Sequence, residues 1–271
     1  MHKNFLRIIY GFVHAFQTFL DTFKLWPIGF WASFWFMNKP FKKINIKGYE
    51  FWVRGDNPLS KLTDVYVILE SVVEKKYFQN SLDFSEDATV IDIGGHIGAF
   101  TIYAARKAKR GRVYAFEPFL KNYAILERNV LLHNASNASL FNLAVAGSNQ
   151  ERILYIDDLN DGGHGLVKKT KKAIAVKCLT LTDILIENKI SKCNFLKIDC
   201  EGAEYEILLN TPVEILKKID QIVLEYHSPE YLGLADKEIV NKLLAHLKAA
   251  NYQTTVERED YRRGYIYARR K

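Results

Sequence analysis

A glycine-rich crossing between two short apolar runs constrains this chain more than any other feature. Residues Thr89 to Pro118 read TVIDIGGHIGAFTIYAARKAKRGRVYAFEP. A β-branched run (Val90, Ile91, Ile93) carries Asp92 near its end, and Gly94, Gly95 and Gly98 follow. An apolar-periodic helix then runs from Ala99 to about Ala108. After Lys109-Arg110-Gly111 a second run, Val113 to Phe116, closes on Glu117. The pattern predicts a βαβ unit with a glycine turn between first strand and helix. Glycines let backbone approach a ligand closely and adopt positive φ at little cost. The helix behind them aims free N–H groups and a partial positive charge at whatever binds there. An acid ending the second strand can accept hydrogen bonds from two neighbouring ribose hydroxyls. The unit is therefore expected to hold a nucleoside-containing small molecule.

The spacing separates two kinds of nucleoside site. A dinucleotide fingerprint, G-x-G-x-x-G, ending at Gly98 needs glycine at position 93, where Ile93 stands. The observed spacing is D-x-G-x-x-x-G, Asp92 through Gly98. It resembles motif I of class I S-adenosylmethionine (SAM) methyltransferases, with His96 where those enzymes often carry Gly or Asn.

The flanking text alternates strand and helix patterns. Ile44 to Arg54 alternates around Lys47-Gly48 and predicts a hairpin. Thr63 to Tyr77 predicts one helix, with Val65, Ile68, Leu69, Val72 and Val73 as its core stripe. A helix begins at Pro118, with Tyr123, Leu126, Val130 and Leu131 on one face. A third main strand is expected over Ser139–Ala146, followed by an inserted hairpin (Arg152–Asp157, then AIAVKCL) around DDLNDGGHG and a basic stretch. A helix TLTDILIEN is capped by Thr180 or Thr182. Strand 194–199, helix 203–210, strand 221–227, a long helix and two closing strands complete the chain. Strands alternating with helices predict a doubly wound, mostly parallel sheet that finishes in an antiparallel hairpin.

Residues 1–40 stand apart from residues 41–271. The first 41 positions hold 13 of the 36 aromatics, and Phe5, Ile8, Ile9, Phe12, Phe16, Phe19, Leu20 and Phe23 recur at amphipathic helical spacing. Polar breaks at His14, Gln17, Asp21 and Lys24 argue against a spanning helix, and no small-residue site suggests a cleaved leader. The segment is expected to dock on the catalytic domain or a second subunit, or to lie in a membrane surface with Lys and Arg facing anionic lipid. The net charge of +7 suits anionic partners in general. Three cysteines, Cys178, Cys193 and Cys200, make no C-x-x-C pair, which favours a reducing, cytoplasmic setting.

Taken together, VIDIGGHIGAFT, YAFEP, FNLAVA and FLKIDCEGAEYEIL resemble FkbM-type methyltransferases, as does the upstream TDVYVILESVVEKKYF. The resemblance covers roughly residues 44 to 228, and Lys-Ile-Asp-x-Glu-Gly-x-Glu is its most specific piece. It implies the seven-stranded, Rossmann-like SAM methyltransferase fold, with the cofactor core over 86–228. It also implies SAM-dependent O-methylation of a hydroxyl on a sugar, glycolipid or other small metabolite.

Ligands of such sheets sit past the carboxyl ends of the strands. The candidate cofactor-binding residues are Asp92, Gly94, Gly95, Gly98, Thr101, Glu117, Asn142, Ala144 and Asp199. Asp92 and the glycine backbone are expected at the methionine moiety, Glu117 at the ribose, and Asn142 with the backbone near Ala144 at the adenine. Asn142 reads equally well as a strand-end turn residue. Asp199 and His227 are the candidate catalytic residues. His227 is a candidate base because its ordinary pKa lies near neutrality; the alternative is a hydrogen-bonded structural histidine. Asp199, Glu201, Glu225 and His227 could converge on Mg or Mn, but no tight ligand spacing demands a metal. Glu204 reads as a helix-start acid, and His164 as a solvated loop tip or a cover for the acceptor. Two rival classes remain: an NAD(P)-dependent oxidoreductase on the same type of fold, and a basic nucleic-acid-binding module. The second lacks an aromatic-basic platform, so no nucleic acid is expected.

Overall fold

The computed structural model describes residues 40–55, 58–157 and 162–271. The expectations for the aromatic N-terminal segment fall outside these residues. Among the described residues, no helix is long and apolar enough to cross a membrane.

Strands β1 (Phe41–Ile46) and β2 (Tyr49–Arg54) form the expected hairpin, with Gly48 at φ +82° in its turn. Helix α1 (Pro58–Ile68) then passes into a π-helical turn over Leu69–Glu74 and a 3₁₀ turn over Lys76–Phe78. The continuous helix expected over Thr63–Tyr77 is therefore broken. Ile68, Leu69 and Val72 stay packed against the hairpin and the following helix, while Glu70 and Ser71 are buried too. A widened turn adds a residue to the helical period, so an apolar and a polar set can both face inward.

The central unit follows as β3 (Thr89–Ile93), α2 (Ala99–Lys107), β4 (Arg112–Phe116), α3 (Leu120–Leu132) and β5 (Ala138–Phe141). Next come β6 (Ala144–Val145), β7 (Arg152–Ile156), β8 (Lys172–Val176), β9 (Cys178–Leu179) and α4 (Leu181–Glu187). The chain ends through β10 (Phe195–Ile198), α5 (Glu204–Leu209), α6 (Val213–Leu216), β11 (Gln221–His227), α7 (Pro229–Leu232), α8 (Ile239–Ala249), β12 (Tyr252–Arg258) and β13 (Arg263–Arg270).

Seven strands make one sheet in the order β12-β13-β11-β10-β3-β4-β5. All neighbours pair in parallel except β13, which runs antiparallel to both β11 and β12. This is the doubly wound sheet with an antiparallel ending that the pattern predicts. Side chains alternate across it: Ile91, Ile93, Leu196 and Ile198 pack in one apolar cluster, while Val90, Val113, Phe195 and Val223 pack in another. Covered on both faces, the inner strands read as near-continuous apolar runs.

Two local details differ from expectation, and a third decides between two expected alternatives. The single strand over Ser139–Ala146 splits at Asn142. Its amide donates to the carbonyls of Glu117 (2.8 Å) and Pro118 (3.0 Å), and β6 leaves the main sheet to pair with β9. In α3, Leu131 is 77% exposed, and Ile125, Leu126, Asn122 and Asn129 take the inner face. Asn129 supports that rotation by donating to Trp52 O and Ile97 O. Thr180, not Thr182, caps α4, its hydroxyl accepting from Asp183 N at 3.1 Å.

Candidate active site

The glycine turn is pinned from both sides. Gly94 N and Gly95 N both donate to Phe116 O at the end of β4, at 3.0 and 2.9 Å. Asp199 N donates to Ile93 O at 3.0 Å, which extends the β3–β10 pairing and lays Asp199 against the turn. The contact is tight. A Cβ on Gly94, already at φ +82°, would lie 1.7 Å from the Asp199 carbonyl oxygen. No side chain fits there, so glycine is required by backbone contact as well as by φ. Gly98 starts α2 at φ +90°, where a Cβ would meet Leu126 at 2.6 Å.

Past the carboxyl ends of β3, β4 and β10 lies a cleft of about 780 Å³, partly open to solvent. Its position is where the fold places ligands. Five of the candidate residues line it: Gly94, Gly95, Glu117, Ala144 and Asp199. Glu117 is buried, and its two oxygens accept from His96 N (2.8 Å) and Phe119 N (2.9 Å). Burial pushes its pKa up to about 7 despite those two bonds. Each oxygen keeps a second lone pair, so the carboxylate can brace the turn and still accept from a ligand hydroxyl.

The other candidates sit beneath or behind this surface. Asp92 is fully buried. Its Oδ2 accepts from the Thr101 hydroxyl at 2.6 Å, and its Oδ1 lies 3.2 Å from Lys197 Nζ. Asp92, Gly98 and Thr101 therefore order the turn from below, and none of their side chains lines the cleft. Asn142 is also outside the lining, since its amide is committed to the chain after Glu117.

Lys197, which carries no role in the sequence reading, connects these parts. It faces Asp92 in the β3–β10 register, is almost wholly buried, donates to Gly94 O at 2.7 Å and lies 4.0 Å from Asp199 Oδ2. Burial opposes its charge, but Asp92 and Asp199 outweigh that and hold its pKa above the ordinary lysine value. The signal was available: a lysine inside a central strand, two residues before Asp199, needs a buried partner.

A second group of ionisable side chains closes the opposite wall. Asp199 and Glu201 both line the cleft, with side chains 26% and 21% exposed. Burial raises the Asp199 pKa to about 6, with Glu225 adding to it and Lys197 opposing; burial raises Glu201 to about 7. Glu201 stands at φ +55° beside Gly202 at φ +108°, so the turn after β10 is wound left-handed. Tyr77 donates to Asp199 Oδ2 at 3.3 Å. Ser71, in the π turn, lines the cleft with a buried hydroxyl that has no hydrogen-bond partner among the described residues. Neither Tyr77 nor Ser71 is visible as a site residue in the sequence, because the expected helix gave no reason for its polar positions to turn inward.

His227 is corrected as a candidate base. It does not line the cleft, and carboxylates surround it: Nδ1 lies 3.2 Å from Glu204, and Nε2 lies 3.2 Å from Glu201 and 3.5 Å from Glu225. Burial would lower its pKa, but Glu201, Glu204 and Glu225 outweigh it and lift the value to about 10. A ring that keeps its proton at neutral pH cannot take one from an acceptor. Glu204 is more than a helix-start acid, since it accepts from Gly202 N and His227 N, both at 2.7 Å. Glu225 is pushed up by burial, yet Arg263 and His227 outweigh this and hold it below the ordinary value. Arg263 Nη1 reaches Glu225 at 2.7 Å, and the Tyr265 hydroxyl bridges Glu225 and Glu70. The convergence of Asp199, Glu201, Glu225 and His227 is thus real, but imidazolium and guanidinium fill the cation positions. Among the described residues, no group of three or more His, Cys, Asp and Glu is arranged to hold a metal ion.

His164 lines the cleft rather than capping a solvated loop, with Nδ1 accepting from Asp157 N at 3.0 Å and its ring edge-on to Phe119 at 4.3 Å.

The methyltransferase FkbM domain family matches residues 92–254, more than half of the chain. The chain belongs to that family. It is therefore a SAM-dependent methyltransferase, and the oxidoreductase reading is set aside. "Methyltransferase 1" of Beauveria bassiana is 28% identical over 190 residues, covering 62% of this chain and 76% of the relative. The hexuronic acid methyltransferase AglP of Haloferax volcanii is 24% identical over 176 residues, covering 65% and 69%. The 31-O-demethyl-FK506 methyltransferase FkbM of Streptomyces tacrolimicus is 23% identical over 193 residues, covering 60% and 74%. The site fits the cofactor of an FkbM methyltransferase: a backbone turn, a half-committed carboxylate at Glu117, and an apolar flank at Phe116, Ala144, Val145 and Leu154.

Proposed function

We propose that this FkbM-family enzyme methylates a hydroxyl group on a saccharide, a lipid-linked glycan or another small polar metabolite. The observation that carries the proposal is the pair of partly exposed carboxylates, Asp199 and Glu201, beside the glycine turn, with the unpartnered Ser71 hydroxyl on the same cleft wall. The related proteins named for a hexuronic acid and for a 31-O-demethyl substrate support the acceptor class.

Gly94, Gly95, Glu117 and Ala144 would hold the cofactor, Glu117 through its ribose hydroxyls. When bound, SAM supplies a methyl group already activated by sulfonium charge. The chain must then place a hydroxyl and remove its proton. Asp199 takes that role. It is solvent-accessible, tied to the turn through Ile93, and has a pKa raised to about 6, so at neutral pH it is ionised yet still basic enough to share a proton. Tyr77 holds its Oδ2, and Lys197 stabilises the charge from below. Glu201, steadied by the protonated His227, accepts a hydrogen bond from a neighbouring acceptor hydroxyl. Arg263, Glu225 and Glu70 form the buried support for that wall.

Incubation with methyl-labelled SAM and a panel of saccharide, lipid-linked and nucleic-acid acceptors tests the proposal. Alkali-stable label on a hydroxyl compound is the expected result. Label only on nucleic acid, or only as alkali-labile ester, overturns it.

A further inference from the structure

A second concave surface lies behind the cleft wall, on the other side of the π turn. Its floor is Val72 and Val73, next in sequence to the cleft-lining Ser71. Two tyrosines stand on it: the rings of Tyr49 and Tyr103 lie 6.3 Å apart and nearly parallel at 18°. Four cations surround them, Lys47, Lys75, Arg106 and Lys107. They come from the β1–β2 turn, the end of the π turn and the last turn of α2.

Lys47, Lys75 and Arg106 are exposed, and Lys107 is half-buried. Lys107 pairs with Asp83 at 3.0 Å, but among the described residues Lys47, Lys75 and Arg106 have no carboxylate within salt-bridge distance. Their positions are built. Lys47 and Lys75 are set by left-handed backbone at φ +50° and +53°. Arg106 stacks on Tyr49 at 4.1 Å and donates to Gly48 O, and Lys75 Nζ lies 5.9 Å over Tyr103. Burial raises the Tyr49 hydroxyl pKa while Arg106 and Lys75 oppose it, which places both charges around one ring. An anion seated on this surface would be attracted by each of the three cations that line it.

We propose that this surface is a binding site for a phosphate group, with Lys47, Lys75 and Arg106 as its ligands and the two tyrosines and two valines as its floor. The phosphate can be that of a free anion or of a lipid headgroup; the charge and geometry recognise the same chemistry in either. The site does not depend on the acceptor proposed for the cleft.

Calorimetry of the full chain with pyrophosphate, and co-sedimentation with phosphatidylglycerol vesicles against phosphatidylcholine vesicles, test this. The variant is Lys47→Gln/Lys75→Gln, with thermal transition and SAM affinity as controls for an intact fold. Loss of two basic residues at a phosphate surface predicts about 30-fold weaker binding. Saturable pyrophosphate binding that weakens so identifies a free-anion site. Vesicle binding alone that weakens so identifies a headgroup site. Absence of binding in both arms, or binding that the double variant leaves unchanged, overturns the proposal. So does a single-stranded RNA bound more tightly than either probe and lost in the same variant.

Discussion

The two walls of the cleft solve the burial of charge in opposite ways. On the wall proposed for the cofactor, the glycine turn presents backbone beside apolar side chains, and the carboxylate of Glu117 is satisfied by two backbone N–H groups. On the wall proposed for the acceptor, side chains face side chains: Asp199, Glu201 and Glu225 are balanced by His227, Arg263 and Lys197. A backbone wall is rigid and reads shape, which suits a cofactor that never changes. A wall of coupled ionisable groups holds protons at chosen places, which suits proton transfer but makes each group depend on its partners. Lys197 links the two walls, donating to Gly94 O at 2.7 Å and lying 4.0 Å from Asp199 Oδ2.

That comparison can be broken most severely at Lys197. Lys197→Met removes the cation between Asp92, Gly94 O and Asp199, and should cost about 3–5 kcal/mol of stability by chemical denaturation, as for other buried pairs broken on one side. A loss under about 1 kcal/mol would mean the two walls stand independently. Next in size is Asp199→Asn, which should lower kcat by about 10²-fold or more while SAM affinity stays within a few fold. The wild-type rate should rise with pH through about 6, where Asp199 ionises, and that limb should vanish in the variant. Equal losses in binding and turnover would move Asp199 to the cofactor wall.

Glu117→Gln sharpens the other side. The amide can keep only one acceptor oxygen for two backbone donors and a ribose, so SAM affinity should fall by about tenfold, read by calorimetry. Unchanged affinity would remove the ribose role. The remaining effect, visible only as pH changes, concerns His227. Its folded pKa of about 10 lies above the ordinary 6.5, so its contribution to stability is whole below about pH 6.5 and is lost as pH rises toward 10. His227→Asn should remove that part of the stability decline between pH 7 and 10, measured as the difference between variant and wild-type denaturation curves. Parallel curves would show that the ring is neutral and restore it as a base.

Much of the cofactor wall was legible in the chain. Glycine spacing, a β-branched strand and a terminal acid are local signals, and a βαβ crossing has one hand, so Gly94, Gly95 and Glu117 follow from short stretches of text, as does Asp199 at the end of its strand on the other wall. The rest of the acceptor wall was not legible. Ser71 and Tyr77 turn inward because a π turn interrupts α1, and nothing in their neighbours announces it. Leu131 was misplaced, and the strand was run through Asn142, because side-chain bonds to distant carbonyls, at Trp52 and Glu117, outweigh local periodicity.

The amino-acid order by itself determined the strand-and-helix alternation, the antiparallel ending and the acids at strand ends, because each depends on residues a few positions apart. Only the tertiary structure decided which of those acids carry protons. Protonation is set by burial and by charges brought near from β10, β11 and β13, and His227, with Arg263 opposite it in the β11–β13 register, acquires its character from neighbours far away in the chain.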